Sequence, residues 1–420
     1  MKACGITAEF NPLHNGHVYI MDEARRLTGC DAVVVAMSGN YVQRGEPAIT
    51  DKWARTEAAL SCGADLVIEI PTVFCLSDAG RYARAGVTLL ESLGCTEYIC
   101  FGSGSGDENT LKELATLIKE HAPEIKERIK RFALMGLSYP AAREKALTEM
   151  MTDGPDISAV KKVLGNPNDV LALEYMISSK TAKSVCVKRK GSGYDAAFDK
   201  NTSLQSAGGI RSLIRNEGMD IAGDKIRAFI PEKSFELLAG EILTYPDEWT
   251  EILKYAVLNS SPEKIDNCPS GGEGLGNLYK KAVKECNTWN EIIMYCKSKR
   301  YTYTRLSRLA MQIILGMSDA DNDKDPAYIR ILGFNEKGRE LLSYIKRKEL
   351  CKLPILTNIN KEKDNLSEHA NEMIDREVKY TDIYNMITGR ESSVFSDYVH
   401  LINKNCRSID RQLCGRGDEI

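Results

Sequence analysis

The run Ala32-Val33-Val34-Val35-Ala36-Met37 is apolar at every position. A strand with one face in water alternates apolar and polar residues, so a run without alternation belongs to a strand covered on both faces, as in a parallel sheet sandwiched between helices. Its neighbours fit that frame. Strands are predicted over Ala3 to Glu9, Ala32 to Met37, Asp65 to Ile70, Tyr98 to Gly102 and Ser184 to Arg189, with helices over Gly16 to Leu27, Asp51 to Ser61, Asp78 to Leu93 and Asn168 to Ser179. Short β-branched runs alternating with helix-period segments predict an α/β fold with a doubly wound parallel sheet.

From about Thr110 to Glu149 the pattern is helical without strands, which predicts an insertion at about 110–150 between the fourth and fifth strands. Beyond Gly223 strand signals almost vanish. Leu306, Leu309, Ile313 and Ile314 share one helical face and Leu341, Leu342 and Ile345 another. The expected organisation is a sheet domain over 1–222 and a mostly helical domain over 223–420, and 420 residues suit two or three domains.

The sequence carries 13 cysteines, an odd number with no CxxC pair, so they read as reduced structural thiols rather than a disulfide framework or a metal cage. Met1 to Glu9 has no leader-like charged start, and no apolar run approaches the roughly 20 residues of a membrane span. A cytoplasmic location without membrane association is expected. The net charge is −3, so a polyanionic partner has to be held by local basic patches.

The densest chemical signal is Gly5-Ile6-Thr7-Ala8-Glu9-Phe10-Asn11-Pro12-Leu13-His14-Asn15-Gly16-His17, a strand ending in a turn that opens a helix. An isolated His pair three apart also suits a metal site or two capped surface imidazoles. Position decides between them: ligands bind at the carboxyl ends of strands in such sheets, where a helix N-terminus offers backbone N–H groups to phosphates. Gly16 permits close backbone approach. His14 and His17 can then donate to phosphates and, when protonated, offset charge developing on a transferred group. With only His121, His369 and His400 remaining, no metal site is expected.

Four further segments come to the same sheet edge. Ser38 to Pro47 is polar and Gly-punctuated. Phe101 to Asp107, FGSGSGD, either makes a flexible turn or admits a nucleotide close to its backbone. Asn166-Pro167-Asn168-Asp169 reads as a helix cap. Lys188-Arg189-Lys190 is either a surface charge run or a polyphosphate contact, and its place at a strand end favours the latter. Further on, Ser206 to Arg211, SAGGIR, suits either a second phosphate-gripping turn built on Ser206 and Arg211 or an N-capped helix with a surface Arg, and HxGH at the other end of the domain favours the former.

Taken in order, AEFNPLHNGH, SGNYVQRGEPAITDKWAR, GADLVIEIP, FGSGSGD, PNDVLALEY, KRKGSGY, SAGGIR and YIRILGFNEKGRELL resemble the tRNA(Met) cytidine acetate ligase family, bacterial members of the HxGH nucleotidylyltransferase superfamily with a Rossmann-like catalytic domain. HxGH alone is shared by adenylyltransferases of many substrates, whereas SGNYVQRGEPA and YIRILGFN are far more specific. The resemblance implies an enzyme that activates acetate with ATP as acetyl-adenylate and acetylates N4 of the wobble cytidine of elongator tRNA(Met); ATP chemistry makes Mg²⁺ the default ion beside the nucleotide. It carries ATP contacts onto Thr7, Ala8, Glu9, Phe10, Asn11, Pro12, Leu13, His14, Asn15, Gly16, His17, Val18, Tyr19 and Ile20, and onto Gly102, Asn168 and Arg189. The sequence departs from the family pattern at Leu13 for Phe, Gly104 for Glu, Asp195 after Tyr194 for His, and Gly208 for the Thr of a SATAIR-like string.

An RNA substrate needs basic surface. Lys297, Lys299, Arg300, Arg305 and Arg308 interleave with Tyr301 and Tyr303 without an acid, a composition that grips phosphates and stacks bases, or else forms a solvated helix face. Lys180 to Arg215 is a second basic region. Two rival functions share these motifs: transfer of AMP to a small-molecule acceptor, and ATP sensing by a non-catalytic RNA-binding protein.

Overall fold

The computed structural model describes residues 1–151, 157–190, 204–319, 325–390, 397 and 400–404. Its strands are β1 (Ala3–Ala8), β2 (Ala32–Ser38), β3 (Tyr41–Val42), β4 (Glu46–Pro47), β5 (Leu66–Ile70), β6 (Thr96–Ser103), β7 (Lys183–Lys188), β8 (Ile329–Phe334), β9 (Ile355–Leu356) and β10 (Ile402–Asn403). The main sheet runs β10-β8-β5-β2-β1-β6-β7, with β9 beside β8 and a separate β3–β4 ribbon. From β5 to β7 all pairings are parallel. The chain winds from β1 outward to β5 and then returns to β6 and β7, which places the switch point between β1 and β6.

The helices that matter for the site are α1 (Asn15–Thr28), α2 (Lys52–Ser61), α3 (Thr72–Cys75), α4 (Ala79–Ser92), α5 (Glu108–Glu120), α6 (Ala122–Leu134), α7 (Tyr139–Met150), α8 (Ile157–Leu164), α9 (Pro167–Ser178) and α10 (Ala207–Glu217). The predicted helical insertion corresponds to α5 through α7. The unalternating β2 is explained by its two covered faces. Val33, Val35 and Met37 enter one core with Met21 and Ala24 of α1 and Ala58 to Leu60 of α2, whereas Val34 and Ala36 enter another with Leu89 and Leu90 of α4.

The expectation that strands end before residue 223 is corrected by β8 to β10. β8 pairs antiparallel with β5, Leu66 opposite Phe334, so the sheet is mixed rather than wholly parallel, and the expected division at 222/223 is not a division of the sheet. Without β8, the edge of β5 would present unpaired backbone groups. Arg330, the second residue of β8, is 1% exposed and donates to the carbonyls of Thr357, Asp397 and His400.

A buried polar knot joins the chain's two halves. Lys52 Nζ lies 2.8 Å from Glu69 Oε1 and 2.7 Å from Asp397 Oδ1, with Lys52 wholly buried. Glu377, on the helix Glu368–Thr388, accepts from the backbone N–H and the hydroxyl of Thr72 at 2.7 and 2.6 Å. Burial and the nearby Glu69 push its carboxyl up, while Lys52 and the two Thr72 hydrogen bonds oppose the rise.

Candidate active site

At the carboxyl end of β1 the chain leaves the sheet through Glu9 and Phe10, the latter at φ 48°, a conformation unusual for a bulky residue. Arg55 of α2 holds this exit in place. Its guanidinium donates to the carbonyls of Glu9 (2.8 Å), Ser38 (3.0 Å) and Gly39, tying the ends of β1 and β2 together. Asn11 is fixed from both sides: its Oδ1 accepts from the Ile49 N–H at 2.7 Å and its carbonyl accepts from Arg211 at 2.6 Å.

His14 is the N-cap of α1, and its Nδ1 accepts from the Gly16 N–H at 3.0 Å. His17 reciprocates: its Nδ1 accepts from the His14 N–H at 3.2 Å. With both Nδ1 atoms accepting, each neutral imidazole carries its proton on Nε2 and can donate it into the cleft both residues line. The rings stack at 3.9 Å between centroids, and Phe10 meets His17 edge-on at 5.0 Å. Burial, then Arg189, hold His14 down to about 3. Burial, His14 and Arg189 hold His17 well below the usual imidazole range. Of the two roles open to the pair in the sequence, donation by neutral rings is the one these shifts favour in the free protein.

The cleft has an empty volume of about 1190 Å³ counted out to its mouth. It gathers Thr7, Ala8, Glu9, Phe10, Asn11, His14, His17, Ile20, Gly102, Asn168, Arg189, Ser206 and Arg211, residues expected at the site from five separate segments. Arg189 donates to Asn168 Oδ1 at 3.0 Å, and its aliphatic chain lies over Gly102, where a Cβ would stand 3.0 Å from Arg189 Cγ. Ser206 caps α10 by accepting from the Gly209 N–H at 3.0 Å, the cap that the alternative reading of this stretch calls for, while Ser206 and Arg211 both line the cleft. Thr7 Oγ1 is buried without a hydrogen-bond partner among the described residues, a polar atom suited to a ligand.

Other expected contacts lie elsewhere. Leu13, 1% exposed, packs in the core with Phe10 and Met21, and Val18 packs against the same core. Pro12 is buried outside the cleft lining, and Asn15 donates to the Ala228 carbonyl at 2.9 Å. Gly16 and Tyr19 line a small adjoining recess with Lys190, whose ammonium sits 4.4 Å from the Tyr19 ring centroid. Asp195 lies outside the described residues.

The glycine loop after β6 is corrected in part. Gly102 lines the cleft, but Asp169 of α9, wholly buried, already occupies the amides beyond it: it accepts from Gly104 N–H at 2.8 Å, Ser105 N–H at 2.9 Å and the Ser103 hydroxyl. A carboxylate of this chain thus takes the Gly104 and Ser105 amides that the nucleotide-admitting alternative would have left open. Gly104 leaves no room for the Glu of the family pattern unless Asn166 shifts, because a Cβ there would lie 2.3 Å from Asn166 Nδ2.

Ser38 to Pro47 does two jobs. Val42, Gln43 and Arg44 line the cleft, while Tyr41, Gln43 and Gly45 receive or give hydrogen bonds to Tyr380, Arg308 and Ser307 of the C-terminal helices. Gly45 has φ +83°, and a Cβ would fall 2.2 Å from the Arg308 nitrogen, so only glycine fits. Arg308 is therefore buried and structural, which corrects its place in the basic stripe. Arg305 also turns inward, to the carbonyls of Ser270 (3.1 Å) and Gly271 (2.9 Å), and Arg300 is paired with Glu273 at 2.9 Å. Lys297 and Lys299 are exposed. Sequence reasoning missed Tyr82 and Tyr175, which line the cleft from α4 and α9; on helices with apolar faces nothing separates them from core tyrosines.

Comparison with known proteins agrees with this geometry. A profile of the family described as HIGH Nucleotidyl Transferase matches residues 1–396. A tRNA(Met) cytidine acetate ligase of Clostridium perfringens is 37% identical over 95% of this chain and 98% of its own, and one of Clostridium novyi is 38% identical over 90% and 97%. The crystal structure of apo Thermotoga maritima TmcAL superposes with a TM-score of 0.88 at 31% identity, covering 96% of this chain and 99% of that one. A second, bound with alpha-thio ATP, gives 0.86 over 96% and 100%. With its HNGH turn at the switch point of the sheet and relatives matching along nearly its whole length, the chain belongs to the tRNA(Met) cytidine acetate ligase family of HIGH nucleotidyl transferases.

Proposed function

We propose that this protein activates acetate with ATP and transfers the acetyl group to N4 of the wobble cytidine of elongator tRNA(Met). The observation that carries this is the convergence of His14, His17, Asn168, Arg189 and Arg211 on one cleft at the switch point. Acetate is ionised at neutral pH, so its attack on the α-phosphorus requires alignment and charge neutralisation and no base. The imidazole Nε2–H groups and the two guanidiniums supply donors and positive charge where the phosphates would lie. Cytosine N4 is a weak nucleophile, and the mixed anhydride with AMP makes its acylation feasible. An anticodon-loop base is already unpaired, which reduces the cost of taking it from a stack.

Among the described residues no group of three His, Cys, Asp or Glu side chains could hold a metal ion, and Glu9 is the only carboxylate on the cleft wall, so Mg²⁺ would be held chiefly by phosphate oxygens and water. When bound it would neutralise polyphosphate charge. No described helix is long and apolar enough to cross a membrane, and a cytoplasmic site of action suits a tRNA substrate.

The test supplies ATP, labelled acetate and tRNA and follows acetate-dependent ATP–pyrophosphate exchange and labelled N4-acetylcytidine. Both are expected. Pyrophosphate release with a small acceptor and no labelled nucleoside would favour AMP transfer, and absence of exchange with or without tRNA would favour a non-catalytic ATP sensor. We further propose that nucleotide binding belongs to 1–222 and that part of the tRNA grip belongs to 223–420, through Lys297 and Lys299 and, less directly, Arg300 and Arg305. Replacing Lys297 and Lys299 with Ala is expected to weaken tRNA binding and lower its log–log salt slope by about 0.7 to 0.9 for every phosphate no longer neutralised, measured by titration at several salt concentrations. Unchanged affinity and slope would move the RNA surface to Lys180 through Arg215.

A further inference from the structure

A negative side chain inside a triphosphate site opposes the substrate's own charge, so a carboxylate there calls for an explanation. Among the described residues Glu9 is the only Asp or Glu on the cleft wall. It follows β1 directly, and its carbonyl is pinned by Arg55 at 2.8 Å, so the side chain leaves the sheet from a fixed point. Oε1 accepts from the Gln43 N–H at 2.8 Å. Among the described residues none donates to Oε2, in contrast to Asp169, whose two oxygens are both engaged within the fold. A purely structural acid is satisfied in the manner of Asp169.

We propose that Glu9 is the general base of the transfer step, accepting the proton that the cytidine amine sheds as it becomes an amide. The inference rests on the acetyl-transfer reading given above. N4 attacks the acyl carbon of acetyl-adenylate, the C–N bond forms, and the C–O bond to phosphorus-bound oxygen breaks. AMP leaves with that electron pair, and one N4 proton passes to the Glu9 carboxylate and from there to solvent. The first step has no proton to remove, so it needs no base. Burial raises the Glu9 carboxyl above its ordinary range, while Arg44 and Arg211 oppose the rise. A base moved toward neutrality is better matched to this task.

Glu9→Gln keeps an oxygen for the Gln43 N–H and removes the base. Exchange reports the first step. Acetylation of tRNA from preformed acetyl-adenylate in a single turnover, measured from about pH 5.5 to 8.5, reports the second. Transfer is expected to fall on the order of 10²- to 10⁴-fold, far more than exchange, and to lose the limb that rises with pH in the wild type. Glu9→Asp should retain that limb at a reduced rate. Equal loss in both steps would make Glu9 a nucleotide-binding group and overturn the proposal, as would full transfer by Glu9→Gln with its pH limb intact. A wild-type protein that makes neither acetyl-adenylate nor N4-acetylcytidine would instead overturn the function on which the proposal rests.

Discussion

His17→Ala is expected to slow acetate-dependent ATP–pyrophosphate exchange on the order of 10²- to 10³-fold while leaving the fold intact, the cost of one donor aimed at developing charge. The ring's Nδ1 is committed to the His14 backbone, which fixes its orientation and leaves Nε2–H as the functional end. His14→Ala is expected to lose less rate but more stability. That substitution removes the helix cap on Gly16, typically worth about 1 kcal/mol. Exchange rates and thermal melts of the two variants separate these roles, and near-normal exchange in a folded His17→Ala protein would sink the assignment.

Lys52→Met is expected to destabilise the protein by about 3 to 5 kcal/mol, because it leaves Glu69 and Asp397 buried without their counterion. Against a typical total of about 5 to 15 kcal/mol that is a large fraction. Lys52 sits one residue after the N-cap of α2, the helix whose Arg55 holds the ends of β1 and β2, so partial loss of α2 would also loosen the turn at Glu9. Urea unfolding measures the effect. A midpoint within error of the wild type would mean that the knot contributes no net stability, whereas adding Glu69→Gln to Lys52→Met should recover part of the loss by removing one stranded charge.

Strands β1, β2, β5, β6 and β7 were legible because each carries a short β-branched or apolar run bounded by turn residues, and predicted limits lie within about two residues of those observed. His14, His17 and Arg189 were legible for the same reason: strand ends are where such sheets put ligands. Gly102 and Asn168 are reached through the family resemblance, since a glycine in a loop and an asparagine beside a cap have sufficient local explanations. What sequence could not convey is pairing between distant positions. Lys52, Glu69, Glu377 and Asp397 read as four ordinary surface charges until the fold buries them together. Arg305 and Arg308 likewise look like a stripe for RNA, yet carbonyls of neighbouring loops take their guanidiniums. Ile329 to Phe334 carries a strand's composition but stands alone among helices, so neither rhythm nor neighbours identify it.

The pairing of β5 with β8 also sets a schedule for synthesis. β5 ends at Ile70 and its partner begins at Ile329, about 260 residues later. At roughly 5 to 20 residues per second a ribosome needs on the order of ten to fifty seconds to cover that interval. During that time the nascent chain can assemble β1, β2, β5, β6 and β7, and pair Lys52 with Glu69, but holds one edge of β5 open. A growing polypeptide of this kind presents an adhesive strand edge to its neighbours on a polysome, and the length of that exposure is written into the order of the strands.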